Sequence, residues 1–96
     1  MVDELNVIRA RLALESKDLE ISQRAASELE QLGFDVVHIG PRGVGFEGSR
    51  ELYEEVFKAK VRLTENGWRF DELPTIPEAF PEGIASVYFP TKPEFI

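Results

Sequence analysis

The sequence contains no cysteine. That absence excludes a disulfide framework, thiolate metal ligation and a cysteine nucleophile, and it leaves the compartment open because many exported proteins also lack cysteine. A single histidine, His38, offers little to a zinc site, so only a hard cation held by carboxylates stays open. No apolar run approaches the roughly 18–20 residues of a membrane span. Bases are scarce as well: 11 Lys and Arg stand against 18 Asp and Glu, a net charge of -7. Non-specific nucleic-acid binding needs Lys and Arg to displace counterions, so this balance opposes it and favours a partner with a basic or neutral face. The opening MVDELNVIRAR carries acids where a secretory signal carries bases, and it lacks a long apolar core. As given, the chain is expected to be soluble and cytoplasmic, with no membrane partner.

Residues 33–57 organise what is present. Phe34, Val36, Val37 and Ile39 suit a half-buried strand. Gly40-Pro41-Arg42-Gly43 is a turn, with proline presetting φ and the glycines accepting dihedrals other residues resist. Val44 and Phe46 share one face of the next strand, with Gly43 and Gly45 on the other. Gly48 ends that strand, and Ser49 is placed to cap a helix buried through Leu52, Tyr53, Val56 and Phe57.

Upstream, residues 5–14 alternate, with Ile8, Ala10, Leu12 and Leu14 on one face. A strand is the reading; a helix competes because Arg, Ala and Leu are good helix formers. Asp18 or Ser16 caps the following helix, whose stripe is Leu19, Ala25, Ala26, Leu29 and Leu32 and whose terminator is Gly33. Downstream, residues 60–64 alternate with Val61 and Leu63 inward, and Asn66-Gly67 signals a hairpin returning through Trp68 and Phe70. After Asp71 the prolines at 74, 77, 81, 90 and 93 deny continuous helix or central strand. Apolar residues remain there, including Leu73, Phe80, Val87 and Phe89, and residues 84–89 can form a short extended segment. The expected division is a domain over 1–72 and an extended proline-rich tail over 73–96, with bonds after about Leu73 cut early by protease. The order β-α-β-β-α-β predicts an α+β, ferredoxin-like antiparallel sheet with two helices on one face. Its other face would carry Arg9, Arg11, Gly43, Gly45 and Arg62, with Val36 and His38 as further candidates.

No catalytic constellation emerges. The segment 40–45 lacks the Lys-Ser/Thr of a phosphate loop and does not open a helix. Ser16, Ser22, Ser27, Ser49 and Ser86 have no second histidine to draw on, and His38 sits in a strand. Glu54 and Glu55 are adjacent on a helix and point apart. Arg9, Arg11 and Arg62 lack the strand aromatics on which RNA-binding modules stack bases. The chain is therefore expected to act by binding rather than as an enzyme, with no cofactor and no metal.

Three segments carry a family likeness: Leu32-Gly33-Phe34-Asp35-Val36, then Val44-Gly45-Phe46-Glu47-Gly48-Ser49, then Leu52-Tyr53-Glu54-Glu55-Val56-Phe57. Over residues 5–64 the chain resembles the propeptides of subtilisin-like serine proteases and their sedolisin (kumamolisin-type) relatives, and Val87-Tyr88-Phe89-Pro90 resembles the link from prodomain to protease. The resemblance implies an inhibitor and folding assistant for a subtilisin-type serine protease, in cis or in trans, monomeric when free. The open sheet face would dock on the protease through Arg9, Arg11, Gly43, Gly45 and Arg62. Lys92, Pro93, Glu94, Phe95 and Ile96 would lie in the substrate cleft, with Ile96 in the primary specificity pocket. Two alternatives stand beside it: an ACT-like ligand-binding or oligomerisation domain with contacts around residues 16–19, and an assembly subunit whose tail embraces a neighbour.

Overall fold

A computed structural model describes residues 7–65 and 67–90. Alternation in IRARLAL produces strand β1 (Ile8–Leu14), with Ile8, Ala10 and Leu12 fully buried and Arg9 and Arg11 exposed. Helix α1 (Leu19–Leu32) comes next. The Asp18 carboxylate accepts from the amides of Glu20 and Ile21, a cap contributing about 1 kcal/mol. Gly33 ends the helix at φ 110°, in the left-handed region that a side chain resists. Strands β2 (Asp35–Gly40) and β3 (Gly43–Gly48) are joined by the tight Pro41-Arg42 turn. Helix α2 (Arg50–Phe57) starts at Ser49, whose hydroxyl accepts from the Leu52 amide at 3.2 Å. All of these elements form as expected.

The strands make one antiparallel sheet of four, in the order β2-β3-β1-β6, where β6 is Ile84–Tyr88. Val44, Phe46, Ile8, Ala10, Leu12 and Val87 join Ala25, Ala26, Leu29, Tyr53 and Phe57 in a single core, so both helices lie against the same sheet face. The molecule is α+β. Two glycines are steric requirements of this packing. A Cβ on Gly43 would sit 2.1 Å from the Leu12 carbonyl oxygen, and one on Gly48 would sit 2.5 Å from the Phe34 ring.

The structure departs from expectation after α2. Strand β4 (Val61–Thr64) pairs only with β5 (Gly67–Phe70), as a separate two-stranded ribbon, and the fourth place in the main sheet belongs to β6. The local hairpin pairs residues 61–64 with residues 67–70, and β1 offers its free edge to residues 84–88 instead. Val61 is buried as expected, but Leu63, which points to the same side of the strand, is 62% exposed, so the cover over Val61 does not extend along the ribbon to Leu63. Arg62 therefore does not reach the open sheet face; its Nε lies 3.0 Å from the Asp71 carboxylate at the base of the ribbon.

Residues 73–90 are equally unlike a free extension. Leu73 is 90% exposed, yet Phe80, Val87 and Phe89 are buried, and the Thr75 amide donates to the Phe57 carbonyl at 2.7 Å. Limited proteolysis is therefore expected to nick the chain at Leu73 without releasing the downstream fragment: the two pieces co-elute under native conditions and separate only in denaturant. Independent elution of the two fragments under native conditions contradicts this packing.

Tyr53 is fully buried, and its hydroxyl donates to the Ile8 carbonyl at 2.5 Å. Burial, and secondarily the Glu47 carboxylate, push its phenol well above the ordinary tyrosine range. Tyr53→Phe is expected to cost about 1–2 kcal/mol, read by denaturant unfolding. The linkage has a definite sign. The folded state resists ionisation, so the tyrosine's contribution is complete below about pH 10 and is lost above it, as the unfolded phenol ionises. Wild-type stability should fall more steeply than that of Tyr53→Phe above that pH.

Candidate functional site: the uncovered sheet face

The sheet registers place side chains on the helix-free face in three rows. Asp35, Glu47 and Arg9 are cross-strand partners in the first. His38, Gly45, Arg11 and Tyr88 form the second, and Gly40, Gly43, Ala13 and Ser86 the third. Among the described residues no helix lies over these rows, since both helices share the core on the opposite side. Arg9, Arg11, Gly43 and Gly45 thus come together as expected, while Arg62 does not join them. Val36 turns inward opposite Phe46.

Across the first row Arg9 binds the Glu47 carboxylate through two nitrogens, Nε at 3.0 Å and a terminal nitrogen at 2.7 Å. The arginine is largely exposed, so the pair contributes no more than about 1 kcal/mol; its effect is to orient both groups on the face. In the second row a β-bulge between Val36 and His38 alters the strand's alternation. Val37 and His38 both lean over Gly45, where a Cβ would find them at 3.5 Å. Gly43 and Gly45 are both buried, Gly45 beneath these two side chains and Gly43 against the backbone of Leu12 and Ala13. A partner approaching this face meets Val37, His38, Arg9, Arg11 and Tyr88 before it meets the glycines, which reduces the close-approach role that the sequence suggests for them. Val37 and Tyr88 are 46% and 44% exposed, an apolar and an aromatic group flanking the charged row.

The free edge of β6 borders a groove of about 340 Å³ in front of the ribbon, lined by Trp68, Arg69, Phe70, Val87, Tyr88 and Phe89 among others. Sequence reasoning missed this juxtaposition because it depends on β6 entering the sheet. The cleft residues Lys92, Pro93, Glu94, Phe95 and Ile96 lie outside the described residues, so the expectation for them is neither met nor refused.

Among the described residues no three His, Cys, Asp or Glu side chains gather as a metal site. Ser49 is committed to its cap, and Ser22 is buried on α1 with its hydroxyl unpartnered. No described helix is long and apolar enough to cross a membrane. A scan against protein-family models, a search of curated proteins and a search of solved structures each find no match to this chain.

Proposed function

We propose that this protein acts by binding, as a propeptide-like inhibitor and folding assistant for a subtilisin-type serine protease. The sheet order β2-β3-β1-β6 with both helices on one side supports a ferredoxin-like plan, in which β6 stands as the last strand and the β4–β5 ribbon is an addition before it. The observation that carries the reading is the uncovered sheet face, on which Arg9, Glu47, Arg11, Val37 and Tyr88 form a mixed surface of charge and exposed apolar groups. Such a surface suits a protein partner: the aromatic and aliphatic groups supply contact area, and the oriented charges supply specificity.

The second support is directional. Strand β6 runs along β1 and ends at Tyr88, and the chain continues through Phe89 and Pro90 to residue 96. In this proposal the folded domain docks by its face, and residues 92–96 enter the substrate cleft as an extended strand, pairing by backbone and filling pockets with alternate side chains. Preorganisation by the domain lowers the entropy cost of ordering that short segment.

The test is inhibition of subtilisin-type and unrelated proteases by the full chain and by a form ending at Pro90. The truncation belongs there rather than earlier because Val87 and Phe89 are core residues whose removal would unfold the domain. Selective inhibition of the subtilisin type is expected, weakened about tenfold or more by the truncation, and comparably by the surface pair Val37→Glu and Tyr88→Glu. Absence of inhibition of every subtilisin-type enzyme by the folded full chain would sink the proposal. Inhibition indifferent to Val37 and Tyr88 would remove the sheet face from it.

A further inference from the structure

The charges of this acidic chain are unevenly paired. Arg9, Arg24, Arg50 and Arg62 each lie beside a carboxylate. Arg11, Lys17, Arg42, Lys58, Lys60 and Arg69 have no ion pair among the described residues, and the first three of these line one cavity of about 380 Å³. Separate segments deliver them: Arg11 from the open face of β1, Lys17 from the β1–α1 connection, and Arg42 from the β2–β3 turn. Ser16 and Tyr88 add hydroxyls to the same lining, and Glu15 is its one carboxylate.

The cavity wall is tied in place by the main chain. The Leu14 amide donates to the Arg42 carbonyl at 3.0 Å, Asp18 to Pro41 at 2.8 Å, and Glu15 to Gly83 at 2.8 Å. These bonds hold the connection, the turn and the approach to β6 together, so the bases are gathered by the fold itself. Gathering like charges is unfavourable unless an opposite charge completes the group. Three cations against one carboxylate give the lining a net charge of two positives.

We propose that this cavity binds the dianionic phosphate group of a small phosphorylated molecule. Guanidinium forks such as those of Arg11 and Arg42 suit bidentate hydrogen bonding to a tetrahedral oxyanion, Lys17 supplies a point charge, and Ser16 supplies a neutral donor. The anion is held by side chains and not by the start of α1, whose Glu20 and Ile21 amides already donate to Asp18. Tyr88 lines the same cavity, whose volume of about 380 Å³ exceeds that of a phosphate group alone. The inference does not rest on protease inhibition.

The experiment is an amide chemical-shift titration of the full chain with inorganic phosphate, at constant ionic strength set by sodium chloride, with succinate as a second probe. Saturable shifts are expected at the amides of residues 11–18 and 42, with a dissociation constant of about 1 mM or tighter for phosphate and weaker for succinate. Lys17→Ala combined with Arg42→Ala should weaken phosphate about tenfold or more, while Arg69→Ala, a cation outside this cavity, leaves it unchanged. Should the double variant lose its dispersed spectrum, Lys17→Gln alone serves, with a smaller loss in the same direction. Non-saturating shifts, saturation indifferent to Lys17 and Arg42, or succinate binding as tightly as phosphate would each overturn the proposal.

Discussion

Everything in this fold converges on an aromatic cluster centred on Tyr53. Phe34 lies 4.9 Å from its ring and Phe89 5.1 Å, centroid to centroid, and Phe70 stands 4.6 Å from Phe89. These rings come from just before β2, from α2, from the ribbon and from just after β6, so one contact network joins the main sheet, a helix and the separate ribbon. Aromatic pairs add about 0.5–1.5 kcal/mol each beyond the area they bury. The Tyr53 hydroxyl gives this apolar centre a polar constraint by donating to the Ile8 carbonyl of β1, with the Phe46 carbonyl of β3 at 3.5 Å. A phenol buried there needs an acceptor, and β1 supplies it; α2 is thereby pinned to the central pair of strands.

That constraint shapes the surface as well as the core. With α1 and α2 both held against the Ile8, Ala10 and Leu12 side of β1, the side bearing Arg9 and Arg11 has no layer of its own among the described residues. Antiparallel sheets tolerate one solvated face, and polar alternation along β1 matches that condition. The same alternation that builds the core therefore builds the open face: every second residue of β1 is committed to packing, and the residues between point away from the helices. Cross-strand register then decides which groups meet there, placing Glu47 opposite Arg9 and Tyr88 opposite Arg11.

Local chemistry was legible in the sequence wherever its partners lie close along the chain. Asp18 and Gly33 mark both ends of α1, Pro41-Arg42 marks the tight turn, and Ser49 marks the start of α2; each acts within a few residues. The open face was readable for Arg9, Arg11, Gly43 and Gly45 because strand periodicity needs no knowledge of distant contacts. It misplaced Arg62, since residues 61–64 and 84–88 are both short extended segments and periodicity cannot say which one takes the free edge of β1.

By itself, the sequence determined the two helices and their caps, the β2–β3 hairpin, the β4–β5 ribbon, and the two-sided character of β1. Only the tertiary structure decided that β6 completes the sheet, that the proline-rich stretch contributes Phe80, Val87 and Phe89 to the core, that the bulge lays Val37 and His38 over Gly45, and that Arg11, Lys17 and Arg42 share a cavity. The physical reason is one of range. Caps, turns and periodicity are set by interactions within a few residues, whereas a sheet edge, a core vacancy and a charge cluster are filled by whichever distant segment best satisfies hydrogen bonds and buries apolar surface there.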